Sequence, residues 1–152
     1  LSQAINDAFG YSEQVLVEKA VKPRELEVAA YQIDGKLFTT PPGEVTAPDG
    51  AFYTYDEKYG SGSHSTTTLT AENLSAEQIE LINQYSQKVF TQMKLKDLSR
   101  IDFFLTEDNE IFLNEVNTFP GMTPISMFPK LLEHNGDCFK TFLQKAILNA
   151  LK

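Results

Sequence analysis

Residues 100–117 leave this chain few ways to fold. Residues 100–106 read Arg-Ile-Asp-Phe-Phe-Leu-Thr and residues 111–117 read Ile-Phe-Leu-Asn-Glu-Val-Asn, with Glu107-Asp108-Asn109-Glu110 between them. Two apolar, β-rich runs about a short acidic turn that contains Asn make a hairpin signal. With Asp108 and Asn109 at the centre of a two-residue turn, opposed residue numbers sum to a constant. Asp102 then faces Glu115, and Arg100 faces Asn117. Directly opposed residues point to the same side of a sheet, as do residues two apart on a strand. One face collects Arg100, Asp102, Glu115 and Asn117, and the other Ile101, Phe103, Leu105, Phe112 and Val116. A four-residue loop keeps this register. A three-residue loop shifts it by one and breaks the cluster.

Two carboxylates and a carboxamide on one face are hard oxygen ligands. Adjacent carboxylates repel, and one takes up a proton unless a cation resolves the conflict. Mg²⁺ suits Asp102, Glu115 and Asn117, because it binds a few protein oxygens and keeps positions for phosphates and water. Arg100 beside them is a fixed cation able to hold an anion or a developing oxyanion. The plainer reading is a solvated hairpin face with an Arg–carboxylate ion pair. Four such residues backed by a strongly apolar reverse face favour a site.

Composition narrows the partners. The 152 residues carry a net charge of −8, which argues against nucleic acid. Any phosphate site must then be built locally. No apolar run approaches the ~20 residues that span a bilayer, so no membrane partner is expected. The single Cys138 cannot form an internal disulfide, which suits a reducing compartment, and it reads as a core residue of a helix.

The rest of the chain reads as one α+β unit. Leu1, Ala4, Ile5, Ala8 and Phe9 have helical spacing before Gly10. Val15-Leu16-Val17 reads as a short buried strand. Glu25, Glu27 and Ala29 alternate with Leu26, Val28 and Ala30, a half-buried strand ending at an Asp34-Gly35 turn, with residues 36–40 as its hairpin partner. Pro41-Pro42-Gly43 breaks that strand and Glu44-Val45 resumes it. Pro48-Asp49-Gly50 is a turn, and residues 60–65 are a loop by composition. Ser75 with Gln78 makes a capping-box pattern, and Ile79, Ile82, Tyr85, Val89, Phe90 and Met93 form the apolar face of the helix that follows. Met127, Leu131 and Leu132 indicate a short helix ending at Asn135-Gly136. Asp137 caps a last helix with Phe139, Phe142, Leu143, Ala146, Ile147 and Ala150 inward. His64 and His134 read as solvated. The expected architecture is a largely antiparallel sheet with helices on one side.

Arg-Ile-Asp at 100–102, Asn-Glu-Val-Asn-Thr at 114–118, Pro-Gly-Met-Thr at 120–123 and Ser-Met-Phe-Pro at 126–129 together resemble the C-terminal part of the D-alanine–D-alanine ligases, which are ATP-grasp enzymes. The resemblance covers nearly the whole chain. The Glu-x-Asn strand alone is shared by many ATP-grasp enzymes, and the Pro-Gly-Met-Thr and Ser126 segment makes it specific. It implies that residues 1–21 end the central lobe and that 22–152 form the ATP-grasp C-terminal lobe, the last portion of a longer ligase.

The resemblance also assigns roles. Glu18, Lys19 and Val21 lie in a segment that reads the adenine edge, and Glu25 holds the ribose. Lys58 contacts phosphate, and Tyr59 shapes the substrate site in a loop that closes over the nucleotide. Asp102, Glu115 and Asn117 hold Mg²⁺, two ions in the family site, with Mn²⁺ as a possible substitute. Arg100 and the Gly121 N–H form an oxyanion hole. The Ser126 hydroxyl, with the Met127 N–H, holds the carboxylate of the second amino acid. Tyr59 matches a tyrosine kept by ligases that form the amide rather than the ester. The implied partners are ATP and D-alanine, in a cytoplasmic homodimer that serves peptidoglycan synthesis.

The family's glycine-rich phosphate loop and first-substrate glutamate would lie before residue 1. One departure is Lys96-Asp97-Leu98-Ser99, where the family usually has a glycine. Two alternatives remain: a different ATP-grasp carboxylate–amine ligase, against which the Pro-Gly-Met-Thr and Ser-Met-Phe-Pro segment stands, and a non-catalytic nucleotide- or cation-binding domain, against which the full set Arg100, Asp102, Glu115, Asn117 and Lys58 stands.

Overall fold

The computed structural model describes residues 1–46 and 66–151. In chain order the elements are α1 (Ser2–Phe9), β1 (Pro23–Ile33), β2 (Lys36–Thr39), β3 (Gly43–Thr46), β4 (Thr66–Thr68), α2 (Ala76–Gln92), β5 (Leu98–Thr106), β6 (Ile111–Asn117), α3 (Met127–His134) and α4 (Phe139–Ala150). Strands run in the order β4-β3-β1-β5-β6, with β2 also paired to β1, and every pairing is antiparallel.

The long strand β1 is the axis of the sheet. On one side it pairs with β5 along nine residues, and on the other it pairs with β2 at its end and β3 at its beginning. Asp34 and Gly35 both have positive φ, as a two-residue hairpin turn of the I′ type requires, and Ile33 pairs with Lys36 across it. Pro41 and Pro42 interrupt the neighbouring strand as expected. Thr40 bridges the break: its N–H donates to the Ala29 carbonyl, and its hydroxyl accepts from the Ala29 N–H. The ladder is thus satisfied where proline cannot donate. Arg24 adds a two-pronged pair to Glu44, which ties β1 to β3 and holds the guanidinium above its ordinary value.

Helices cover both faces of the sheet, not one as the sequence led us to expect. Leu26, Val28 and Ala30 of β1 and Ile101, Phe103 and Leu105 of β5 pack on Ile82 and Phe90 of α2. On the opposite face, Ala29 and Tyr31 pack on Met127, Phe128, Leu131 and Leu132 of α3 and on Phe142 of α4. The middle of β1 is therefore buried on both sides rather than half-buried. The capping box forms as expected: the Ser75 hydroxyl accepts from the Gln78 N–H, and the Gln78 side chain accepts from the Ser75 N–H. The buried face of α2 includes Ser86, whose hydroxyl turns back to the Ile82 carbonyl, while Tyr85 is more than a third exposed and Met93 about half.

Other expectations fail for physical reasons. Val15-Leu16-Val17 forms no strand. Leu16 is 80% exposed and Val17 60%, so the apolar run is not packed against the sheet. Asp137 does not cap α4. Its carboxylate accepts from the buried Tyr31 hydroxyl at 2.6 Å, and the N-cap position falls to Cys138, which is exposed rather than in the core. Ile147 is 60% exposed and Ala150 is exposed too, because α4 presents only its first two turns to Tyr31 and Phe128.

Candidate active site

The cross-strand register of β1, β5 and β6 lays out the site. Glu27 pairs with Asp102, which pairs with Glu115. In the next row on the same face Ala29 pairs with Arg100, which pairs with Asn117. Direct partners share a face, so Arg100, Asp102, Glu115 and Asn117 come together with Glu27.

The hairpin reaches this arrangement by an unexpected route. The loop has three residues, 107–109, closed by the Thr106 N–H donating to the Glu110 carbonyl, with Asn109 at positive φ. That loop pairs Phe103 with Leu113 and Phe104 with Phe112, one step out of the register a two-residue turn gives. A β-bulge then restores it, so that Asp102 meets Glu115. The site survives, and the apolar set changes: Ile111 and Leu113 take the face of Phe103 and Leu105, while Phe112 moves to the face of Asp102.

Arg100 lies within a carboxylate clamp. Its Nε donates to Asp102 Oδ1 at 2.9 Å and its Nη2 to Oδ2 at 2.7 Å, while Nε stands 3.3 Å from Glu27 Oε2. Glu27 and Asp102 are only 7% and 5% exposed. Burial alone would push the guanidinium down. The Asp102 hydrogen bonds and the fields of Glu27, Asp102 and Glu115 outweigh it and raise the guanidinium well above its ordinary value. Three carboxylates around one guanidinium leave the cluster net negative.

The loop before α3 brings Gly121 and Ser126 together. A Cβ on Gly121 would lie 2.6 Å from Ser126 Oγ, so a side chain there would force the Ser126 hydroxyl to turn away. Ser126 occupies the N-cap of α3 without capping it. Its hydroxyl accepts from the Thr123 N–H at 3.2 Å and lies 2.8 Å from Thr123 Oγ1. Pro129, in the first turn, has no N–H. The Met127 and Phe128 N–H groups therefore head the helix without a side-chain cap, in the manner of an anion-binding terminus.

Of the remaining residues expected in the site, Glu25 is half-buried on β1, paired with Phe104 and on the same face as Glu27. Glu18 and Lys19 are exposed and Val21 half-buried, in a segment outside any helix or strand. Lys58 and Tyr59 lie outside the described residues. Among the described residues no three Asp, Glu, His or Cys side chains gather as a ready cation site. A cation here would depend on the Asn117 carboxamide beside Asp102 and Glu115. The hard-oxygen donors and the net negative charge fit a small divalent ion such as Mg²⁺. Sequence reasoning missed Glu27. Its signal was the Glu-x-Glu spacing with Glu25, but only the pairing of β1 with β5 puts it beside Arg100.

The family profile described as "D-ala D-ala ligase C-terminus" matches residues 1–148. The chain belongs to that family. A D-alanine–D-alanine ligase of Aliivibrio fischeri is 88% identical over all 152 residues, which make up 46% of that relative. One from Vibrio parahaemolyticus is 69% identical over 150 residues, again 46% of its length. The chain thus spans about half the length of the curated ligases it matches. The crystal structure of D-alanyl-alanine synthetase A from Vibrio cholerae superposes with a TM-score of 0.88 at 63% identity, over 97% of this chain and 44% of that one. A VanG D-Ala:D-Ser ligase from Enterococcus faecalis superposes at 0.78 with 32% identity, over 96% of this chain and 41% of that one. The α+β sheet with its helices is the C-terminal fold of these ligases.

Proposed function

We propose that this ligase-family chain supplies the ATP- and cation-binding half of an enzyme that joins two D-alanines. The observation that carries the reading is the row Glu27–Asp102–Glu115 beside Arg100 and Asn117, in a chain 88% identical to a D-alanine–D-alanine ligase. ATP would phosphorylate the carboxylate of the first D-alanine, and the amine of the second would attack the acyl phosphate. The product, D-alanyl-D-alanine, would serve peptidoglycan synthesis in the cytoplasm, a compartment that suits the lone thiol. Residues 1–21 would end the central lobe and 22–152 form the C-terminal lobe, in a homodimeric full-length protein.

The chain's own groups fall into roles under this reading. The backbone between Glu18 and Val21, outside any strand, can pair with the adenine edge, and Glu25 can hold the ribose hydroxyls. Lys58 would meet phosphate. Asp102, Glu115 and Asn117 would hold Mg²⁺, one or two ions, or Mn²⁺. Such ions, when bound, offset charge on the transferring phosphoryl group. Arg100 and the Gly121 N–H would receive the oxyanion of the tetrahedral intermediate. Ser126 and the Met127 N–H would hold the second carboxylate, with Tyr59 favouring an amine as nucleophile.

The test is D-alanine-dependent ADP release. The full-length protein should show it, with D-alanyl-D-alanine as the product. The 152 residues alone should not, because orientation of two substrates contributes on the order of 7–11 kcal/mol and half a site cannot supply it. A full-length protein that hydrolyses ATP without regard to D-alanine would overturn the reading. Transfer to a different carboxylate would favour another ATP-grasp ligase.

A further inference from the structure

Arg100 makes close contact with carboxylates from two strands, and one of these, Glu27, lies outside the expected donor set. Asp102 grips the guanidinium through a fork along β5 itself. A fork fixes the plane of the guanidinium relative to the carboxylate, but an Asp carboxylate rotates broadly about its last torsion, and the fork can swing with it. Glu27 comes from the neighbouring strand, directly opposite Asp102, and places Oε2 at 3.3 Å from Arg100 Nε. A second carboxylate presented from the neighbouring strand, as an ion pair and not a hydrogen bond, opposes that swing. Ala29, the partner of Arg100 on β1, offers only a methyl group, which leaves room for the guanidinium to lie along the sheet face towards Glu27.

The arrangement is a poor way to gain stability. Glu27 brings a third negative charge beside Asp102 and Glu115 at 7% exposure. Like charges taken out of water disfavour the folded state unless the cation between them is held in excellent geometry. A residue kept only for packing would sit better there as an uncharged side chain of similar shape. We propose that Glu27 is a positioning residue: it locks the Arg100 guanidinium from β1 so that its direction is set before substrate arrives. The inference rests on the ligase reading for its effect on turnover, and on the clamp geometry alone for its effect on Arg100.

The two parts are tested separately in the full-length protein with Glu27→Gln, which keeps shape and reach but removes the charge. The kcat for D-alanine-dependent ADP release should fall on the order of 10-fold, since misplacement of a positioned group costs rate. The KM for ATP should stay within about twofold. The thermal midpoint should hold or rise, a split that a merely structural role would not produce. In ¹⁵N-arginine spectra, with the Arg100 signal assigned through Arg100→Lys, the parent should show a protected Nε–H resonance that broadens or exchanges faster in Glu27→Gln. An unchanged Nε–H resonance sinks the proposal whatever the activity. So does a loss of kcat that merely follows a loss of thermal stability, or no change in kcat in an active parent. A parent with no D-alanine-dependent turnover would overturn the ligase reading instead, and the Nε–H comparison would still decide the role of Glu27.

Discussion

The two faces of the sheet use the same strands for different ends. On the face under α2, the inward residues of β1 and β5 are apolar except for the buried Ser99, and Ile82 and Phe90 close over them. On the other face the apolar set stops part-way along β1. Ala29 and Tyr31 pack against α3 and α4, while Glu27, one step back on the same face, meets Asp102 and Glu115, and Glu25, two steps back, lies beside Phe104. Stability is concentrated on one face and half of the other, and the remaining half carries charge that folding alone would not choose. Substitutions in the two regions should therefore separate stability from activity.

The largest loss of stability is expected at Phe103→Ala on the first face. Phe103 is fully buried in that core, and truncation should cost about 3–5 kcal/mol in urea denaturation. A loss below about 1 kcal/mol would mean that the α2 face is not the main source of stability. Next comes Gly43→Ala. An added Cβ would lie 2.8 Å from the Thr68 carbonyl oxygen and 2.7 Å from the end of the Met127 side chain. The methionine can move and the backbone oxygen cannot, so a cost of about 1–3 kcal/mol is expected in the same assay.

Tyr31→Phe probes the apolar half of the second face. It removes the hydroxyl that donates to Asp137 and accepts from Asn135, and should cost about 1–3 kcal/mol. Burial and the Asp137 hydrogen bond push the Tyr31 phenol from 10.0 up to about 12. The folded state therefore keeps this proton after the unfolded chain has lost it. The contribution is fully present below pH 10 and is lost as pH rises to about 12. Melts of the parent and of Tyr31→Phe should thus converge across that window. The smallest change in stability is expected at Glu115→Gln, in the charged half. Glu115 is exposed, so the melt should shift by no more than about 0.5 kcal/mol, while the proposed D-alanine-dependent turnover of the full-length protein should collapse. A large loss of stability there would erase the distinction between the regions.

Much of this was legible in the residues. The hairpin at Asp34-Gly35 and the Ser75–Gln78 capping box follow from local chemistry, because each depends on a few neighbouring groups. The burial of β1 was not legible, because the strand changes surroundings half-way along one face. Glu25 and Glu27 advertise an exposed side that Ala29 and Tyr31 then contradict. The role of Asp137 was hidden because its partner, Tyr31, is distant in sequence. The hairpin tip is the subtler case. The residues suggest a two-residue turn, a three-residue loop with Asn109 at positive φ forms, and a bulge on β6 compensates. Loop type is local, but a bulge answers to the twist of the whole sheet.

That bulge has an evolutionary corollary. What the site requires of the β5–β6 hairpin is parity, meaning which residues share a side, and not a fixed distance from the tip. A relative with a regular ladder and a tighter tip could be shorter between its counterparts of Asp102 and Glu115 and still superpose on both. Alignments across this family should therefore let gaps fall at the loop 107–109 and beside Asn114. Counting residues from one acidic anchor to the next would misassign the second carboxylate in relatives whose sites are identical in space.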